Sequence, residues 1–250
     1  MPGSGKSACR FRINASHARR YSGVTPQQST SMRILITGAT GLVGQGVLRA
    51  CLDAPDVTQV VALGRHASSQ SHPKLSEVIT PDFSALADVE ASLHPFDACF
   101  YCAGAPPVGT SEDQYRHVTL ALTRNVAATL ARLNPAIVFV YVSGAHADPE
   151  SRFMPMRVKG ETERALAALP IRTIMLRPGG IQPVGGVRSP HSMMDLMYRA
   201  TGPLMGLGVR LMPGMLTTTA SVGRTMLALL RQEDPPSIVE NDAINLLGRA

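Results

Sequence analysis

Apolar and polar residues follow two alternating periods along residues 32–250. Short apolar runs of β character fall at Arg33–Thr37, Val57–Leu63, Glu77–Thr80, Ala98–Cys102, Ala136–Val142 and Ile171–Leu176. Between them, apolar residues recur every three or four positions over Leu42–Leu52, Ala85–Leu93, Ser111–Leu133 and Met156–Leu169, which predicts helices. Ser111 and Gln114 have the spacing of a capping box. Ala136–Val142 is apolar throughout, as a strand covered on both faces requires. Strands alternating with helices predict an α/β fold, a doubly wound parallel sheet of the Rossmann kind joined by right-handed crossovers. After Arg177-Pro178-Gly179-Gly180 the regularity falls. Residues 181–219, rich in Pro, Gly and Met, are expected to form a small C-terminal segment on the substrate side. Helical spacing returns over Ser221–Arg231 and Asp242–Leu247.

Composition divides the chain differently. Residues 1–31 carry Lys6, Arg10, Arg12, Arg19 and Arg20 and no acid, so they hold five of the six net positive charges of the 250-residue chain. They lack periodic apolar residues and are expected to be a disordered or targeting extension. Residues 32–250 are then nearly neutral and read as one NAD(P)-binding domain, without the broad positive field that nucleic acid would call for. With aromatics at 4% and no Trp, the core must be built from aliphatic residues and the 12 Met. Cys99 and Cys102 have C-x-x-C spacing, but positions i and i+3 of a strand face opposite ways, so the two thiols should not meet. Free cysteines suit a reducing compartment, and the expected location is cytoplasmic, or mitochondrial if residues 1–31 are a transit peptide. No apolar run of membrane-spanning length is present.

Thr37-Gly38-Ala39-Thr40-Gly41-Leu42-Val43-Gly44 closes a predicted strand and opens a predicted helix. In that context G-x-x-G-x-x-G is a dinucleotide fingerprint. Gly38 allows a tight turn, Gly41 lets backbone amides reach a pyrophosphate at the helix start, and Gly44 allows close packing. Thr40, Leu42 and Val43 complete the phosphate-facing run. Where NAD-specific folds place a carboxylate after the second strand, this chain has Gly64-Arg65-His66. A guanidinium at Arg65 matches a 2′-phosphate, so the expected cofactor is NADP(H), with NAD(H) second. Asp82 and Phe83, past the third strand, are placed to meet the adenine. Ala103 and Gly104, past the fourth, leave room for the cofactor.

Together with the glycine motif, Phe96–Gly104, Val158-Lys159-Gly160-Glu161 and the tail Val239–Gly248 resemble the atypical short-chain dehydrogenase/reductases of the NAD-dependent epimerase/dehydratase kind. Within these the chain is most similar to the NAD(P)H-binding Tat-interacting-protein type oxidoreductases. The resemblance implies a Tyr-x-x-x-Lys pair on one helix face and a Ser or Thr ending the fifth strand. Lys159 matches the lysine, and Pro155 stands where the tyrosine would be. Ser143 precedes the expected serine position, which Gly144 fills, and His146 follows on the same loop as an alternative proton carrier. Pro178 and Gly179 match the loop that lies against the nicotinamide. The resemblance thus implies an NADP(H)-binding oxidoreductase of a carbonyl-type small molecule that lacks the usual tyrosine. The other reading is a non-catalytic NADP(H)-sensing protein that addresses a protein partner. A homodimer is compatible with both.

Overall fold

The computed structural model describes residues 31–68, 70–93, 95–187, 208, 212 and 214–249. Five strands and their crossovers build the first part: β1 (Met32–Thr37), α1 (Leu42–Asp53), β2 (Val57–Gly64), β3 (Leu75–Ile79), a 3₁₀ turn (Ala87–Ser92), β4 (Ala98–Tyr101), α2 (Glu112–Arg116, His117–Ala121 and Leu122–Leu133) and β5 (Val138–Val142). The second part holds α3 (Met154–Ala167), β6 (Arg172–Arg177), β7 (Gly180–Gln182), β8 (Leu216–Thr218), α4 (Thr219–Leu230), β9 (Ile238–Glu240) and α5 (Asn241–Leu247). The main sheet has the order β3-β2-β1-β4-β5-β6-β9 and every pairing in it is parallel. This is the doubly wound Rossmann arrangement, extended by one strand. A two-stranded parallel ribbon of β7 and β8 stands apart from it.

Both faces of the sheet are covered, so the strands alternate between two apolar layers rather than between core and solvent. Ile34, Ile36, Phe100, Val140 and Ile174 face the layer that contains Val47, Leu48, Val222 and Met226 of α1 and α4. Leu35, Leu63, Cys99, Tyr101, Phe139 and Tyr141 face the layer with Val126 and Leu130 of α2 and Leu166 of α3. Cys99 and Cys102 fall in opposite layers, as strand geometry requires. Helices α1 and α4 approach closely: a β-carbon at Gly46 would lie 2.6 Å from Thr219 Cβ, and one at Gly223 would lie 2.7 Å from Ala50 Cβ.

Several boundaries differ from the periodic reading. The stretch expected as a helix over Ala85–Leu93 is a 3₁₀ turn. β3 begins two residues earlier than Glu77. The edge strand β9 went unforeseen because three residues after a Pro-Pro pair carry no period. Ser111 Oγ caps the Gln114 amide, at 3.4 Å, but no reciprocal bond from the Gln114 side chain completes the box. The long helix is not uniform either, since His117–Ala121 widens into a π turn. Such a turn displaces a carbonyl from the regular ladder, and the buried Thr162 hydroxyl of α3, which donates to Val158 O at 2.7 Å, lies 3.3 Å from Thr119 O. Most of the segment expected to cover substrate, residues 188–207, and all but one residue of the extension 1–31 lie outside the described residues. No helix among the described residues is long and apolar enough to cross a membrane.

Candidate cofactor site

The strand order reverses between β1 and β4, and the carboxyl ends of these strands open the crevice where such sheets take ligands. Gly38 has φ +69°, and a β-carbon there would sit 2.6 Å from Ala103 N. The turn after β1 therefore rests directly on the backbone that follows β4. Thr37 supports both sides, with Cys102 N–H donating to its carbonyl at 3.2 Å and Ala103 N–H to its hydroxyl at 3.3 Å. Gly44 closes against the same turn rather than against the sheet, since a β-carbon there would meet Gly38 O at 1.9 Å.

Gly41 is the N-cap of α1, and no side chain caps the helix. The first amide bonded within the helix is that of Gln45, to Gly41 O at 2.9 Å. The amides of Leu42, Val43 and Gly44 precede it, and the first turn holds no acidic residue. The positive end of the helix is thus left to an external anion. Thr40 contributes through its backbone, its carbonyl accepting from Gln45 Nε2 at 3.0 Å.

Arg65 follows β2 directly, is exposed and pairs with no carboxylate among the described residues. Asp82 is exposed too, but its carboxylate is engaged, accepting from the Ser84 hydroxyl at 2.6 Å and the Ser84 amide at 2.7 Å. These bonds hold its carboxyl below the ordinary range, the hydroxyl contributing most. The Phe83 ring does not face the crevice; it is buried in the layer under α2, which leaves the Phe83 backbone as its contribution. Gly104 is exposed with open space around its α-carbon, and Ala103 is partly buried beside it.

A second group of residues gathers at the ends of β5 and β6. Lys159 Nζ on α3 donates to Ser143 O at 2.8 Å and Val142 O at 3.2 Å, and lies 5.3 Å from the centre of the Tyr141 ring. Burial lowers its pKa from 10.5 to about 8, partly opposed by Glu163 one turn further on. A β-carbon at position 144 would press on Lys159 Cδ at 3.2 Å, so Gly144 leaves the lysine its path. Ser143 Oγ is buried without a hydrogen-bond partner. His146 is exposed at φ +60°, the left-handed region that His adopts more readily than most residues. Pro155 occupies the first turn of α3, where its missing N–H disturbs nothing.

The loop after β6 is fixed from three directions. Pro178 O accepts from Ala145 N–H at 2.8 Å, which joins the loops of β5 and β6. Gly179 N–H donates to Asn241 Oδ1 at 2.8 Å, and Gly180 N–H to Met215 O at 2.8 Å. Arg177 forms a fork on the buried Glu163 carboxylate, with contacts of 2.6, 3.0 and 3.2 Å, and reaches Glu240 at 3.0 Å. Asn241 and Asn245 both donate to Leu216 O, at 3.0 and 2.7 Å. Sequence reasoning missed Glu163, Arg177, Asn241 and Asn245. The available signal was two asparagines four apart in the last helix, and a glutamate one turn beyond Lys159.

These residues fit a dinucleotide. The uncapped start of α1 suits a pyrophosphate, while Ser143 Oγ and Lys159 offer polar atoms further along the same sheet edge. A cavity of about 640 Å³ along α1 and α4, bordered by Arg49, Val184 and Arg224, shares no residue with this set. No group of three metal-ligating side chains occurs among the described residues.

Known proteins are similar to this chain in sequence or in fold. The model of the NAD dependent epimerase/dehydratase family matches residues 34–166, which include the glycine turn and Lys159. Protein fmp52, mitochondrial, of Emericella nidulans is 34% identical over 155 residues, 58% of this chain and 65% of that protein. The match therefore spans slightly less than two thirds of that relative's length. Protein fmp52-1, mitochondrial, of Aspergillus oryzae is 32% identical over 178 residues, 68% of this chain and 74% of that protein. Among solved structures, UDP-glucuronic acid 4-epimerase from Bacillus cereus, in complex with NAD, superposes with a TM-score of 0.60 at 16% identity, covering 83% of this chain and 76% of that one. The Bordetella bronchiseptica enzyme WbmH, in complex with NAD+, gives 0.60 at 15% identity, covering 83% and 74%. At such identity these structures establish the shared fold, and the family match over more than half the chain establishes the rest: the protein belongs to the NAD-dependent epimerase/dehydratase family.

Proposed function

We propose that the protein is an NADP(H)-dependent oxidoreductase of a carbonyl-type substrate, resident in mitochondria, that works with Pro155 in place of the usual tyrosine. The observation that carries this reading is the placement of two features on one sheet edge. The uncapped start of α1 and the Lys159 ammonium both open at the carboxyl ends of the strands. Family membership and the NAD-bound titles of the structural neighbours support a nicotinamide dinucleotide. Arg65, exposed and without a carboxylate partner, supports the 2′-phosphorylated form. The names of the fungal relatives and the basic, acid-free residues 1–31 support the mitochondrial location.

When bound, the dinucleotide supplies or accepts a hydride. The amides of Leu42, Val43 and Gly44 hold its pyrophosphate, and Arg65 holds the 2′-phosphate. Lys159 spends two N–H groups on Val142 O and Ser143 O and directs the third at a ribose hydroxyl. Ser143 Oγ, which has no partner within the protein, bonds the cofactor side of the site. The His146 imidazole, two residues past Gly144, carries the proton to or from the substrate oxygen. Because this acid stands on a loop rather than on α3 beside Lys159, turnover slower than that of a Tyr-x-x-x-Lys site is expected, within the factor of about 10²–10⁴ that a positioned general acid contributes.

Calorimetric titration with NADPH and NADH, followed by NADPH oxidation with a panel of aldehydes, ketones and quinones, tests the proposal. Tighter NADPH binding, and turnover lost in Lys159→Ala, are expected, with Pro155→Tyr faster than the parent. Tight binding with no turnover on any carbonyl would move the protein to the cofactor-sensing reading. Absence of binding at saturating NADPH would remove both.

A further inference from the structure

The proposed site has two ends of different chemistry. At the phosphate end, the crevice presents amides and a guanidinium. At the other end, three large apolar side chains stand in solvent: Val108 is 87% exposed, Phe153 70% and Met215 61%. Each comes from a different loop on the carboxyl side of the sheet. Val108 follows β4, Phe153 follows β5 and precedes the lysine helix, and Met215 leads into β8.

These loops are tied together. Arg157, one turn into α3, donates to both carboxylate oxygens of Glu112 at 2.8 and 3.0 Å, which draws the start of α2 against the start of α3. The Met215 carbonyl takes the Gly180 amide and would touch any β-carbon on Gly179 at 2.1 Å. Val108 and Phe153 therefore flank the joined starts of α2 and of α3, the helix that carries Lys159, and Met215 lies beside the Gly179 loop. Of the other large exposed apolar residues among those described, Met212 stands three positions before Met215, and the rest are scattered: Ile79 and Ile238 lie on the edge strands and Leu246 on α5. Single exposures of that kind are ordinary, whereas apolar residues from several loops around one cleft mark a ligand surface.

Charge at this end points the same way. UDP or UDP-glucose, the molecules named in the titles of several structural neighbours, would need unpaired cations for the diphosphate. Here Arg116 is paired with Glu161 at 2.7 Å, Arg157 with Glu112, and Arg177 with Glu163 and Glu240. Among the described residues of these loops, Arg152 remains as an exposed cation, one position before Phe153.

We infer that the substrate is an apolar carbonyl compound, an alkyl or aryl aldehyde or ketone, whose hydrocarbon part lies against Val108, Phe153 and Met215. The inference rests on the oxidoreductase reading above and names its substrate class. Reduction adds a hydride from NADPH to the carbonyl carbon and a proton from His146 to the oxygen, leaving NADP+ and an alcohol, and His146 is reprotonated from water.

The experiment uses the full chain and the series from butanamide to decanamide, unreactive carbonyls, titrated by calorimetry with and without NADPH. Affinity is expected to rise about fourfold per methylene, the gain from burying one CH₂. The aldehydes of the same lengths should follow in kcat/KM. Val108→Ser/Phe153→Ser should flatten the amide series while keeping the parental circular dichroism and melting temperature, since both side chains are exposed. A flat series in the parent, a double variant that keeps the slope, or UDP-glucuronate binding more tightly than decanamide would each overturn the inference, whatever NADPH does. A rising series in a protein that does not bind NADPH would sink the reductase reading and leave the apolar site standing.

Discussion

The two ends of the site hold their loops by opposite means. Around β1 and β4 the loops meet through glycines, backbone bonds and the Thr37 hydroxyl, and among the described residues no charged side chain takes part. Around β5 and β6 the loops are held by side chains that carry charge or amides: Lys159 on two carbonyls, Arg177 on two carboxylates and Asn241 on Gly179 N–H. At the first end Gly38 and Gly44 leave no room for a β-carbon. At the second, where Met215 O meets Gly179 just as closely, the loops depend on polar partners as well, and loss of one leaves a buried polar group alone.

The sharpest way to break this comparison is Gly44→Ala. Its new methyl would lie on Gly38 O, a backbone atom that can move only with the turn. We expect a loss of about 3 kcal/mol or more of stability in urea unfolding, by analogy with other overpacked sites, and at least a hundredfold weaker NADPH binding. Gly104→Ala, placed where a methyl meets nothing, should change stability by less than about 0.5 kcal/mol. Equal effects of the two would end the steric account.

Next in size is Glu163→Ala, which leaves Arg177 half-buried and short of its main partner. Breaking such a pair should cost about 3 kcal/mol. Glu163→Met with Arg177→Met should recover most of that stability in the same urea series, yet bind NADPH more weakly than the parent because the loop after β6 is no longer drawn to α3.

Lys159 sharpens the comparison through pH. Its pKa in the folded protein, about 8, lies below its ordinary 10.5. Between those values the unfolded chain holds a proton that the folded chain has released, so this group adds stability as pH rises from about 8 to 10.5. The rise should reach roughly 2–3 kcal/mol at most, visible in melting temperatures and absent in Lys159→Met. NADPH affinity should run the other way and fall above pH 8, as the ammonium is lost. The smallest effect belongs to Arg65→Ala. It should weaken NADPH about tenfold, roughly 1.4 kcal/mol, and leave NADH unchanged, because the exposed side chain supports no other part of the fold.

The same contrast explains what the sequence disclosed. The turn from β1 to α1 was legible because its requirements are local: Gly38, Gly41 and Gly44 lie within one turn of chain, between a strand and a helix that announce themselves by period. The position of Arg65 directly after β2 was legible for the same reason. The lock on the β6 loop was not, since the Arg177 partners stand 14 and 63 residues away and ion pairing leaves no periodic trace. The close crossing of α1 and α4 at Gly46 and Gly223 was hidden likewise, as each glycine seen alone merely weakens a helix. Phe83 shows the reverse error: its place after β3 pointed at the crevice, but an aromatic side chain is drawn to the core, and only its backbone stays behind.

Asn241 and Asn245 have a consequence for the order in which the molecule is completed. They emerge from the ribosome after every strand of the main sheet, yet they fasten Gly179 and Leu216, made long before. A nascent chain can shape its glycine turn within its first half, but the partner loop at the opposite end of the crevice must wait for these two amides. Binding competence would thus arrive late and abruptly during synthesis, and a chain interrupted before residue 241 would carry the turn without the clasp.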